Sequence, residues 1–402
     1  MIKSGLLLLL IAVLLKQSAH AQSFRLDANL ELTAARFEPD NDPGRKINTN
    51  FRDDDPFNPV RAKLFPHIRL TETFGIEGDF LFDNKGKRFD RTANQPFRVD
   101  GLFLSINGLF GNHLNFWAGK IPTPVGTFSG RSYSHINPLI GFPLAYHYKL
   151  PYNAFTLSSE TGNLFLRDNY FGASTSIYEA CWITGVSAFG NIEGIDYMAA
   201  VGRGTLTNPE AKANGGVQIA GRIGKTFNEH IAGGISAGIA PYLEHDTGLP
   251  TGVSYRDPKH IIAGIDASVH LTSLHLFFEA FYNSWDTPQY QHEKNIHAYA
   301  WYLEGQYYFL PEFYSALRID QLIYSHITDP VSQQQTSWGY NITRIETGVG
   351  YSPISELNIK VVIQHNMLDS PPGKAITIYA LQGAFRFADL VHFGDSGQPA
   401  YE

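Results

Sequence analysis

One cysteine, Cys181, stands in 402 residues, so no intramolecular disulfide can staple the chain. After the N-terminal segment no run approaches 18 consecutive apolar residues, which excludes a bundle of membrane-crossing helices. Charge is scarce as well: 17% of residues are charged, against about 25% in ordinary soluble domains. The formal net charge of −7 leaves no basic face for nucleic acid. Several catalytic spellings are broken. Ser134-His135 are chain neighbours, which a strand would point to opposite faces. Gly224-Lys225-Thr226 lacks the first glycine of a phosphate-binding loop, because position 219 is Ile219. His292-Glu293 and His297 miss HExxH by one residue. The acidic run around Asp53-Asp54-Asp55 spells calcium ligands, but a solvated loop is the commoner reading. No enzyme, cofactor or metal site is expected.

What is present begins with an export signal over residues 1–21. Lys3 is its positive start, Leu6 to Leu15 its apolar run, and Ala19-His20-Ala21 its small-x-small end. From Phe24 on, the pattern has period two. Leu26, Ala28, Leu30 and Leu32 share one face while Asp27, Asn29 and Glu31 share the other. About seventeen segments of this kind follow one another, among them 60–70, 97–109, 297–309, 355–366 and 375–387; the one at 166–176 alternates least clearly. Many approach the roughly 9–11 residues a strand needs to cross a bilayer. Short turns such as Asn228–His230 alternate with long polar loops such as 38–59 and 243–258. A soluble sandwich or propeller also alternates, but it lacks this length and this asymmetry.

The fold expected is therefore all-β: a transmembrane antiparallel β-barrel over residues 22–387, with a tail at 388–402. A closed bacterial barrel has an even strand number, so a count of seventeen is off by one and about 16 strands (16–18) are expected. One stretch breaks the pattern. Between Gly119 and Tyr148 lie Pro122, Pro124, Pro138 and Pro143, together with Ile136, Leu139, Phe142 and Leu144. A stiff, apolar and long loop is expected to pack against something. The reading is an inward-folded constriction loop at about 120–150. With the apolar face on lipid, the polar face lines the lumen. Arg61, Lys63, His67 and Arg69 alternate along one strand, and with Lys120 and Arg131 they would form a cationic track for anionic solutes. The commoner reading is that such charges pair with acids on neighbouring strands.

A strand ending in Gly119-Lys120, followed by Pro124, Gly126, Arg131 and a Pro/Tyr-rich run, resembles the phosphate-selective porin (porin O/P-like) family, as does the later Arg167-Asp168 and Gly172. The resemblance covers roughly residues 113–175. It implies a barrel of about 16 strands, passive diffusion, a constriction loop and trimeric assembly. The expected pore residues are Arg61, Lys63, Arg69, Lys120, Arg131 and Arg167. The expected role is an outer-membrane porin of a Gram-negative bacterium, passing small hydrophilic solutes with anions as the sharper case. Its partners would be outer-membrane lipid and further copies in a homotrimer, not nucleic acid. The alternative is a plugged barrel that binds or adheres through its long extracellular loops.

Overall fold

The structure, a computed structural model, describes residues 23–38, 57, 59–83, 96–111, 113–147, 149–153, 173–177, 182–206, 215–243, 249–288, 295–328, 334–369 and 374–394. The first strands are β1 (Ser23–Glu38), β2 (Val60–Arg69), β3 (Phe74–Asp83), β4 (Phe97–Leu109) and β5 (Leu114–Ile121). Two short strands follow, β6 (Lys149–Asn153) and β7 (Ala173–Thr175). Next come β8 (Ile183–Ile192), β9 (Ile195–Arg203), β10 (Val217–Thr226), β11 (Ile231–Pro241), β12 (Lys259–His270) and β13 (Leu274–Asp286). Then β14 (Asn295–Leu310), β15 (Phe313–Tyr324), β16 (His326–Thr328) and β17 (Gln335–Ser337) precede β18 (Ile342–Ile354), β19 (Leu357–Leu368) and β20 (Lys374–Gly394).

Sixteen of these close an antiparallel barrel in chain order, the pairs β6–β7 and β16–β17 standing apart as small two-stranded sheets. The even number resolves the surplus segment. Residues 154–172 lie outside the described residues, and Ala173–Thr175 pair with β6 rather than with the wall. Closure is between β1 and β20, from Phe24 opposite Phe393 to Glu38 opposite Thr377, with a register shift between Leu26 and Ala28. The last strand thus continues past Phe387 to Gly394, where Phe24 and Phe393 stack at 6.2 Å.

The pleat sorts the side chains as alternation requires. On β10, β11 and β12, Ile219, Ile235 and Ile265 are 57%, 61% and 53% exposed. An apolar belt of this kind is stable only against lipid. On the inner face the polar residues are buried, among them Glu279, Glu304, Arg318, Glu346 and Lys360, each at 0% exposure. They are buried because the barrel interior is occupied. Phe128, Leu139, Leu144 and Tyr146 of the loop after β5 form one apolar cluster with Trp285, Tyr302 and Trp338 of the wall and its upper loops.

Candidate functional site

The loop 122–147 leaves β5 at the long-loop end and turns into the lumen. Its prolines prevent it from extending the sheet. A 3-10 turn, Phe128–Arg131, and one helical turn, Leu144–His147, are its only regular pieces. Gly126 is needed twice over: its φ is +69°, and a Cβ there would strike the Tyr146 hydroxyl. A Cβ at Gly141 would overlap the side-chain ends of Glu346 and Gln364, which would have to shift.

The wall holds this loop by its backbone. Glu279 on β13 accepts the Thr127 hydroxyl at 2.8 Å and the Tyr146 hydroxyl at 2.7 Å, together with the amides of Thr127 and Phe128. Glu346 on β18 accepts the Gly141 amide at 2.6 Å, and Asp320 on β15 accepts that of Leu144 at 2.9 Å. Cations take the carbonyls. Arg318 donates to the Gly141 carbonyl at 2.8 Å and Arg344 to that of Phe142 at 2.7 Å. The Lys360 ammonium donates to the carbonyls of Ser134, Asn137 and Leu139 at 2.8, 3.1 and 3.0 Å. These anchors are themselves paired across strands: Arg318 lies opposite Glu304 and Glu346, and Asp320 opposite Arg344. A loop without a ladder of its own thus finds wall partners for the backbone groups of Thr127, Phe128, Ser134, Asn137, Leu139, Gly141, Phe142 and Leu144.

The expected pore residues divide between two walls. Arg61 and Lys63 on β2 and Lys120 on β5 lie on one side, and the track they were expected to form is balanced by acids. Arg61 meets Glu31 at 3.4 Å and Asp83 at 3.2 Å; Lys63 meets Asp79 and Asp100, each at 3.7 Å. The Lys120 ammonium donates to the Val99 carbonyl. Arg131 sits nearly opposite in the ring of strands, bound to Glu304 on β14 at 2.6 Å and to the Tyr302 hydroxyl at 2.9 Å. Burial there works against its charge, but Glu304 and Tyr302 outweigh it and raise its pKa. Arg69 ends β2 at the short-turn rim, eight positions and roughly 26 Å of strand from Arg61. Arg167 lies outside the described residues, as do the acidic run at 53–55 and His292-Glu293. The grouping is therefore Arg61, Lys63 and Lys120, with Arg131 and Arg69 apart.

Loop and wall approach again at Tyr133. Its hydroxyl donates to Asp79 at 3.0 Å, its ring packs edge-on against Phe65 at 5.4 Å, and the Lys63 ammonium lies 4.7 Å from the ring centre. Beside it a narrow gap remains, lined by Asn29, Glu31, Arg61 and Lys63 of the wall and by Ser132–Ser134 of the loop. Asn29 and Gln382, which also line it, escaped the sequence reading. Only their inward position on an alternating strand marked them. Arg344 and Glu346 escaped it too, although Arg344-Ile345-Glu346 alternates visibly.

His135 gives the loop a pH dependence. Burial, with Arg386, Lys360 and Lys63 nearby, lowers its pKa from the usual 6.5 to about 4. The undocked loop would keep the ordinary value, so above about 6.5 the group favours neither form. Between about 6.5 and 4 the undocked form takes up the proton first, and docking weakens as pH falls. Protease protection of the loop should drop between pH 7.5 and 4.5, and His135→Gln should reduce that drop; an equal drop in both proteins would refute the assignment.

No protein-family model matches the chain, and no curated protein matches its sequence. Solved structures match its fold. The outer-membrane channel DcaP of Acinetobacter baumannii aligns with a TM-score of 0.55 at 11% identity, over 92% of this chain and 98% of that one. An anion-selective porin from Comamonas acidovorans gives 0.55 at 8%, over 91% and 100%. OmpT of Vibrio cholerae, an outer-membrane protein in trimer form, gives 0.53 at 11%, over 90% and 99%. This chain has the fold of an outer-membrane porin. At these identities the likeness is one of architecture.

Proposed function

We propose that this protein is a non-enzymatic outer-membrane porin, a passive diffusion channel for small hydrophilic solutes, with the loop at 122–147 as its constriction. The observation that carries this is the loop itself: it is held inside a closed, lipid-belted barrel by Glu279, Glu346, Arg318 and Lys360 and leaves a polar gap against Arg61 and Lys63. The pairing of Arg61 and Lys63 with carboxylates favours general diffusion over phosphate selectivity, since rings of uncompensated Arg or Lys are what attract anions. The likeness to the porin O/P-like family is on this reading one of constriction-loop design. A homotrimer is the proposed assembly, in keeping with the trimer form of the Vibrio cholerae protein.

A second reading has one observation in its favour. Phe128, Tyr146, Trp285 and Trp338 fill much of the lumen with fully buried rings, as a plug would. That barrel would bind a partner through its extracellular loops. Single-channel recording in a planar bilayer separates the two. An open channel whose reversal potential in a salt gradient stays near zero is expected; silence of the folded protein would favour the plug. A strong anion preference would restore the phosphate-like reading.

A further inference from the structure

The gap beside Tyr133 has spare hydrogen-bond acceptors on two uncharged side chains. Asn29 donates its Nδ2 to Ser134 Oγ at 2.8 Å, which fixes the amide and leaves Oδ1 with no partner among the described residues. Gln382 donates its Nε2 to Thr33 Oγ1 at 3.0 Å and leaves Oε1 in the same condition. The two residues are 4% and 2% exposed, and both line the gap. A buried acceptor without a donor costs about 1–3 kcal/mol, and such groups are few in native proteins unless something fills the place. Beside the gap, Asp79 takes the Tyr133 hydroxyl on Oδ2 while its Oδ1 also has no partner among the described residues.

The charges here do not invite an ion. An anion approaching Arg61 or Lys63 competes with carboxylates already 3.2–3.7 Å away, and a cation meets the same two bases. A neutral group that donates hydrogen bonds meets neither penalty. The Tyr133 ring, with Leu139 and Ile140, supplies an apolar side against which carbon-bound hydrogens can lie.

We propose that this gap is a recognition subsite for small neutral polyols, whose hydroxyl groups donate to Asn29 Oδ1 and Gln382 Oε1 as the solute passes the constriction. The assignment rests on the channel reading. It makes Asn29 and Gln382 specificity-determining residues of the pore.

The test is osmotic swelling of proteoliposomes in xylitol against a methyl-capped oligoethylene glycol of matching size, which has acceptors and no donors. Rates are corrected for protein-free liposomes. Xylitol is expected to enter several-fold faster through the wild-type protein, and Asn29→Leu/Gln382→Leu should bring the two rates together. Heat-modifiable migration on a gel establishes that each variant is folded. Should the double variant fail to fold, Gln382→Met alone is expected to lower the preference. Equal wild-type rates alongside normal single-channel current would overturn the subsite and leave the channel standing. A folded variant that keeps the full preference would overturn it too. Absence of both swelling and current would overturn the channel reading, and the subsite with it.

Discussion

Arg318→Leu is expected to release the loop while leaving the barrel closed. Arg318 is fully buried and joins four partners: Glu304, Glu346, the Gly141 carbonyl and Asn137. Removing it strands two buried carboxylates, and breaking a buried pair from one side costs about 3–5 kcal/mol. Arg131 still serves Glu304, and Gln364 donates to Glu346 at 3.2 Å, so the cost falls mainly on the segment from Asn137 to Phe142. The wall ladder does not pass through that side chain; β14, β15 and β18 keep their pairing. The readout is therefore local: faster protease cleavage within 135–145 and flickering single-channel current, with unchanged heat-modifiability of the barrel. Arg318→Lys should be intermediate, since a point charge cannot bridge four groups as a planar fork does. A variant as quiet and as resistant as the wild type would show that the loop is held by its apolar contacts alone.

The barrel was legible in the sequence because its determinants are local. Alternation along Leu26-Asp27-Ala28-Asn29 assigns faces residue by residue, and the contrast between short turns and long loops assigns the two ends. The surplus segment at 166–176 illustrates the limit, since a short run alternates by chance more readily than a long one. The inward course of the loop was legible too, because four prolines among apolar residues fit neither sheet nor solvated loop. The partners were not. Lys63 and Asp79 face each other only once the register of β2 against β3 is fixed, with Lys63 opposite Leu81 and Leu64 opposite Phe80. Arg131 and Glu304, 173 positions apart, meet through a fold-back that no spacing encodes. The cationic track therefore had to be read without its acids. Asn29 and Gln382 carry no charge to draw notice, and their role depends on which amide atom the neighbouring Ser134 and Thr33 consume.

Replacing residues 124–146 by a short Gly-Ser linker should raise the conductance several-fold and turn the channel toward cations. The segment contributes Phe128, Leu139, Phe142 and Tyr146 to the interior, each 6% exposed or less, so its removal vacates space that is now closed to ions. It also uncovers the wall. On the wall from β13 to β19 the acids that now hold the loop are Glu279, Glu304, Asp320 and Glu346, and the bases that hold it are Arg318, Arg344 and Lys360; on the far side Asp79 and Lys63, which meet Tyr133, cancel. Arg131, the fourth base, leaves with the loop. The bared surface thus carries one more carboxylate than cation, and water entering the lumen lets those acids act on ions over a Debye length of about 10 Å at 0.1 M salt. Stability should fall, because each large apolar side chain removed had stabilised the interior by roughly 1.5–3 kcal/mol. The strands keep their closed ladder, so the barrel should still resist unfolding in cold detergent. Reversal potentials in a KCl gradient measure the shift directly. A conductance no higher than the wild type's would mean that the solute path bypasses the loop, and that its place in the lumen is structural.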